Sequence, residues 1–296
     1  MKIFDCFMYF NEEIVLDLRL NTLDKYVDYF IIVESKFTHR GDKRNLIFDI
    51  EKYKKFKNKI IYLIYDEIPN KIEKIKDDDN KKEKTRKYIM NAIYRENGQR
   101  NYIMNGIEKA DENDLILISD VDEIPDLSNI QFEKINEKII MFQQDMFYYK
   151  FDLKIPNIIW TGTRACKKKY LKNPQWLRNI KERNYSPLRL DILFSKKKYS
   201  NIKIIQRGGW HFTNINTAEE IKHKLKSYLH HIEFDSNPLS TEQIKEVIKS
   251  KRAIYDLRVD QRLNKIGNGT KLVKIEIEKL PIYIQQNKHN YLKWLD

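Results

Sequence analysis

Apolar residues in this chain fall into short unbroken runs, separated by polar stretches with helical spacing. Residues 2–9 read as a strand, and residues 12–23 as a helix with Leu16, Leu20 and Leu23 on one face. Asn11 is the expected N-cap, and Glu12 and Glu13 lie in the first turn, where the helix dipole favours carboxylates. Residues 29–33, 60–65 and 115–118 are continuous apolar runs, as expected of strands covered on both faces. A Lys-rich polar stretch at 71–84 leads into a predicted helix over 85–110. This rhythm predicts an α/β fold with a mainly parallel central sheet flanked by helices, whose ligands gather at the carboxyl ends of the strands.

After residue 125 the pattern is mixed. Strands are expected at 139–151, 157–163, 190–194 and 201–206, helices at 218–230 and 241–259, and a tail over 271–296 with a short strand at 282–285. The absence of any repeat or Pro/Ser-rich linker favours one domain over 1–296. Within it, 1–125 is the expected nucleotide-binding half and 126–270 the acceptor-side half.

Composition narrows the chemistry. The chain has 296 residues, 56 Lys+Arg against 43 Asp+Glu, and a formal charge of +13. Lys supplies 42 of the positive residues and Arg 14. The Lys is scattered rather than striped. This fits the coding bias of an AT-rich genome; an anionic membrane or phosphate partner stays open, and a nucleic acid is unlikely on this pattern. With 8 Gly and no Gly-rich phosphate loop, the common nucleotide-binding loops are excluded. Cys6 and Cys166 form no CxxC, which excludes a thiolate zinc site and fits a reducing compartment. No apolar run nears the ~18 residues of a membrane span, and the N-terminus lacks signal-peptide features. A cytoplasmic protein is expected, with peripheral contact to anionic membrane as one role for the basic surface.

The densest chemistry is Asp114-Leu-Ile-Leu-Ile-Ser-Asp120-Val-Asp122-Glu123-Ile-Pro125. A buried strand runs into three carboxylates, and Pro125 stops simple continuation of the ladder. In continued extended geometry Asp120 and Asp122 share a side. Two carboxylates there suit Mg²⁺ or Mn²⁺, which takes few protein ligands and completes its shell with water and phosphate. The plainer alternative is a solvated acidic turn. Gly208-Gly-Trp-His-Phe212 offers His211 as a third metal ligand or sugar contact, or as a hydrogen-bonded core histidine. Trp210 could stack on a sugar, and the two glycines would let backbone approach a ligand. Arg100 and Asn101 precede the acidic strand; Arg100 either meets a phosphate or pairs with Glu96 at i, i+4. The segment from Glu34 to Gly41 follows the second strand and is either a nucleoside and phosphate contact or an ordinary polar loop.

These motifs, taken in order, resemble glycosyltransferase family 17, the β-1,4-mannosyl-glycoprotein N-acetylglucosaminyltransferase-like enzymes, and especially its smaller bacterial and viral-type members. The resemblance runs from Ile3-Phe-Asp-Cys-Phe with Asn11-Glu-Glu and Leu18-Arg-Leu20, through Val27 to Ser35 and Phe37-Thr-His39. It continues through Glu96 with Gln99-Arg-Asn101, the acidic segment, and Gly209-Trp-His-Phe212 with the helix after it. It implies a GT-A fold, a UDP-sugar donor (UDP-GlcNAc by analogy), a divalent cation, a glycan acceptor and inversion at the anomeric carbon. Asp120 and Asp122 become the D-x-D pair, with His211 as a further metal ligand. Glu34, Arg100, Asn101, Asp120, Trp210, Lys224 and His230 become donor contacts, and Glu123, Asp145 and Glu233 the candidate general bases. Vertebrate members carry a membrane anchor and a Trp-His-Cys-Ser-Trp-Cys stretch. Here that stretch is Trp210-His-Phe-Thr-Asn-Ile215, so the glycoprotein acceptor does not carry over. Two rival functions share these features: a basic binding protein without catalysis, and a metal-dependent phosphotransferase or hydrolase using the same carboxylates.

Overall fold

The computed structural model describes residues 1–186, 191, 194–227, 234–235, 237–254 and 269–296. Strand β1 (Ile3–Tyr9) leads through α1 (Glu13–Leu23) to β2 (Tyr29–Ser35) and on to β3 (Ile60–Tyr65). Helix α2 (Lys81–Asn101) returns the chain to β4 (Leu115–Asp120), which a tight turn joins to β5 (Glu123–Pro125). Next come β6 (Ile139–Tyr148), the long β7 (Leu153–Lys167), α3 (Pro174–Arg178), β8 (Ile202–Ile205) and β9 (Gly209–Thr213). Helices α4 (Ala218–Ser227) and α5 (Thr241–Lys249) precede the short β10 (Val273–Lys274), α6 (Ile282–Gln286) and α7 (Lys288–Tyr291).

The strands form one sheet in the order β3-β2-β1-β4-β7-β6-β9-β5, with β8 beside β6 and β10 beside β7. The expected α/β class is borne out, with one difference. β1 to β4 are mutually parallel, whereas β7 runs antiparallel to β4 and β6, and β5 to β9. The sheet is therefore mixed, because β6 and β7 form a hairpin rather than a crossover unit.

The unbroken apolar runs are explained by burial on both faces. Phe7, Phe30, Ile32, Leu115 and Leu117 pack with Leu16, Leu20 and Leu23 of α1. Their strand neighbours Cys6, Ile31, Val33, Ile116 and Ile118 pack on the other side with Ile103, Ile107 and Leu177. Each deeply buried Leu or Ile contributes about 1.5–3 kcal/mol of apolar burial, so this sandwich anchors the strand ends where the polar residues collect.

Several local expectations are corrected. Glu12, not Asn11, is the N-cap of α1, and it makes no side-chain cap bond to the helix. Its carboxylate instead accepts from the amides of Phe10 and Asn11. Helix α2 starts four residues before the expected 85, because the Asn80 side chain caps the Glu83 amide. It gives way after Asn101 to a 3₁₀ turn at Tyr102–Gly106. The strand expected over 139–151 ends at Tyr148, and the one at 157–163 is the middle of the longer β7. The strand expected at 282–285 is a single helical turn, started by Pro281 and holding Ile284 in the core. Most of 190–194, together with 228–230 and 255–259, lies outside the described residues.

Candidate functional site

The acidic segment is held from beneath by an ion pair. Arg19 of α1 and Asp5 of β1 are both fully buried and meet at 2.6 and 2.8 Å. The remaining nitrogen of Arg19 donates to the carbonyls of Asp120, Val121 and Glu123, at 3.2, 3.2 and 2.7 Å. One guanidinium thus fixes the path of the backbone from β4 into β5. A signal for it stands in the sequence: Arg19 lies three residues after Leu16 and four before Leu23, on the apolar face of its helix. A charge at such a position is buried and needs partners.

Above this backbone, Asp120 and Asp122 point to different partners rather than to one shared ligand. Asp120 meets Arg100 of α2 at 3.0 Å and Arg178 of α3 at 3.1 Å, one on each oxygen. Burial pushes its carboxyl up, but Arg178 and then Arg100 outweigh that and hold it well below the usual carboxylate range. Asp122, in the turn, has His211 Nε2 at 3.5 Å and the Lys224 ammonium at 3.8 Å. Burial again acts upward on Asp122, and His211 and Lys224 bring it below its ordinary value. For His211 burial opposes the charge, while Asp122 raises the pKa above its ordinary 6.5.

Glu123 is fully buried and saturated. Arg178 binds both its oxygens, at 2.7 and 2.9 Å, and the Trp160 indole and Asp120 amide donate to it at 2.7 and 2.9 Å. Gly162 makes this possible, since a Cβ there would stand 1.9 Å from Gln144 Oε1 and 3.0 Å from the Glu123 side chain. Arg178 is the residue that sequence reasoning missed. Asn173 and Pro174 mark the start of its short helix, but nothing local shows where that helix docks. Arg164 of β7 fixes it by donating to the carbonyls of Leu177, Arg178 and Ile180.

Arg100 satisfies both readings weighed for it, pairing with Glu96 at 2.7 Å as well as with Asp120. Gln175 accepts a further bond from it. Asn101 accepts from the Gln175 amide and so ties α2 to α3. Lys224 of α4 joins Glu12 at 2.9 Å, so the β1–α1 turn holds the ammonium that faces Asp122. Burial opposes the Lys224 charge, but Glu12 and Asp122 raise its pKa.

Other candidates stand apart from this cluster. Glu34, near the end of β2, accepts four bonds, from Arg44 and the Ile47 and Phe48 amides of the following loop and from the Tyr62 hydroxyl of β3. Asp145 pairs with Lys154 at 2.6 Å. It aligns with Trp210, while the next residue, Met146, aligns with His211. Alternation therefore puts Asp145 and Trp210 on the opposite sheet face from His211 and Glu123. The Trp210 indole donates to the Lys279 carbonyl. The aromatic ring beside the cluster is Trp160, 5.1 Å from the His211 ring. Gly209, expected to admit a ligand, has φ +128° and instead admits backbone: a Cβ would lie 2.2 Å from the Ile124 carbonyl. His230 and Glu233 lie outside the described residues.

The donor set fits a divalent cation at Asp122 and His211. The nearest cationic atoms to the Asp122 oxygens stand at 3.5 and 3.8 Å; His211 Nε2, the nitrogen facing Asp122, also meets the Thr213 hydroxyl at 2.9 Å, while the buried Nδ1 has no partner among the described residues. A carboxylate and an imidazole suit Mn²⁺ or Mg²⁺ that takes its other ligands from water and phosphate. Among the described residues no three His, Cys, Asp or Glu side chains converge as a full cage. Asp120 is not part of such a pair in this arrangement, because both its oxygens face arginines.

Comparison with known proteins identifies the family. No curated protein matches the chain. Among solved structures, a Bacillus anthracis protein assigned as a glucose-1-phosphate thymidylyltransferase, in complex with sucrose, is 12% identical at a TM-score of 0.35. That alignment covers 71% of this chain and 88% of that one. HddC from Yersinia pseudotuberculosis is 11% identical at a TM-score of 0.34, over 70% of this chain and 91% of its own. The family described as Glycosyltransferase family 17 matches over residues 1–295. The chain belongs to glycosyltransferase family 17.

Proposed function

We propose that this glycosyltransferase moves a sugar, GlcNAc by resemblance, from a UDP-linked donor to a hydroxyl of a glycan acceptor, with inversion. The observation that carries this reading is the arrangement at the end of β4. Three cations, Arg100, Arg178 and Lys224, lie within ion-pair reach of two adjacent aspartates, and one of these, Asp122, stands beside an imidazole.

In a single displacement the acceptor oxygen bonds to the anomeric carbon as the bond from that carbon to the diphosphate oxygen breaks. Negative charge then grows on the departing UDP. Arg100 and Lys224 are preorganised positive charges that offset it, the kind of group whose loss typically costs about 10²–10³ in kcat, while Arg178 is committed to Glu123 and Asp120. Asp122 and His211 are the residues that would hold Mn²⁺ or Mg²⁺, which when bound supplies further positive charge at the leaving group. Trp160 presents an aromatic ring for a sugar beside His211. The acceptor proton must pass to a base within hydrogen-bond reach. Glu123 is saturated and Asp145 lies on the far face; Glu123→Gln, Asp145→Asn and Glu233→Gln test the three candidates.

A thermal-shift panel of UDP-sugars with and without Mn²⁺ tests donor and metal together, because a native-state ligand raises apparent stability. UDP release then separates wild type from Asp122→Ala. Full metal-dependent turnover by Asp122→Ala would overturn the assignment.

A further inference from the structure

Away from the acidic cluster, a small pocket of about 50 Å³ lies at the carboxyl ends of β2 and β3. Phe37, Tyr65 and Ile68 give it apolar walls, and Ser35, Glu67 and Arg95 its polar ones. Arg95 is the informative member. One of its terminal nitrogens donates to the carbonyls of His39 and Arg40, at 3.1 and 3.0 Å, and it has no carboxylate within ion-pair distance among the described residues. Among the described residues its Nε and second terminal nitrogen have no hydrogen-bond partner, and that edge of a guanidinium matches a carboxylate or phosphate in bidentate fashion. Gly41 makes the placement possible: its φ is +116°, and a Cβ there would come within 2.7 Å of the guanidinium. Arg100 and Arg178 of the acidic cluster are paired with carboxylates, whereas Arg95 lines this pocket.

We propose that this pocket binds an acidic sugar residue of the acceptor, with its carboxylate or phosphate entering to Arg95 and its ring resting at the mouth against Phe37 and the exposed Ile68. The Phe37 ring suits the apolar face of a pyranose, and the exposed Glu67 suits its hydroxyls. The pocket is too small for a whole nucleotide-sugar. It is also tied to the reaction centre. Arg95 and Arg100 are about 7.5 Å apart along the axis of α2, and His39, whose carbonyl holds Arg95, bonds through its ring to Gln99 of the same helix. Only the word acceptor rests on the glycosyl-transfer reading; the anion site itself stands on Arg95 and the pocket.

Calorimetric titration of the full chain with glucuronate, glucose 6-phosphate and neutral glucose tests this, alongside UDP with Mn²⁺. Wild type is expected to bind at least one acidic sugar and to bind glucose about 10-fold more weakly or not at all. Arg95→Gln is expected to lose that preference, Gly41→Ala to weaken it, and Arg95→Lys to retain part of it, all with UDP affinity unchanged. Equal binding of charged and neutral sugars by wild type overturns the proposal without any variant. So does an Arg95→Gln variant that keeps the preference. Competition between UDP and the acidic sugar would assign the pocket to the donor and also refute it. Failure of every UDP-sugar to bind, with the acidic-sugar preference intact, would overturn the donor reading alone.

Discussion

Arg178 offers the sharpest test of how the site is built. Replacing it with Met removes the bidentate partner of Glu123, a fully buried carboxylate, and one of the two guanidiniums on Asp120. Glu123 would keep only the Trp160 indole and the Asp120 amide as donors. Stranding one member of a buried ion pair costs about 3–5 kcal/mol, a large share of the ~5–15 kcal/mol that stabilises a typical fold. Thermal unfolding should therefore fall by about 6 °C or more. The penalty comes from an uncompensated charge, so neutralising that charge should relieve it. The double variant Arg178→Met with Glu123→Gln is expected to recover about 2 kcal/mol relative to the single change, read by urea titration of both. A loss below about 1 kcal/mol for Arg178→Met, or a double variant no better than the single, would refute the view that Arg178 neutralises Glu123.

Further outcomes follow from the same geometry. Arg19→Met leaves Asp5 buried and unpaired, so a similar loss of about 3–5 kcal/mol is expected, together with loss of Mn²⁺ binding as the Asp120–Glu123 backbone loosens; unchanged Mn²⁺ affinity would contradict that link. Glu12→Gln removes the 2.9 Å partner of Lys224 and should cost about 1–3 kcal/mol, measurable by chemical denaturation. For His211, burial opposes the charge but Asp122 raises the folded pKa above 6.5. A raised folded value gives stability that is fully present below the unfolded pKa and lost as pH rises through the folded one. Metal-free melts across about pH 5.5–8.5 should show that loss in wild type and not in His211→Gln, while Mn²⁺ affinity rises over the same interval because only the neutral imidazole ligates.

The candidate site was legible in its acidic half. A buried apolar strand ending in Asp120-Val-Asp122-Glu123 marks carboxylates at a strand's carboxyl end, and the structure puts them there. Proximity in sequence did not reveal that the two aspartates would have separate partners. The extended geometry that would align them stops at Asp120, because the backbone turns at Val121 and Asp122 under the pull of Arg19. The roles expected of Glu34 and Trp210 depended on which groups reached them from distant segments. For Glu34 these are loop amides, Arg44 and Tyr62, and for Trp210 the Lys279 carbonyl. Neither is local information.

The first 120 residues determined their own architecture: apolar runs of strand length, spaced by helix, bury both faces as a parallel sheet between helices. The motif order likewise determined the family. Tertiary structure alone decided which charges meet. Arg178 reaches Glu123 across 55 positions, Arg100 reaches Asp120 across 20, and Lys224 faces both Glu12 and Asp122. Periodicity encodes which face of an element is buried, because that depends on neighbours one turn or two residues away. The partner of a buried charge depends on how whole elements dock, and no local pattern carries that.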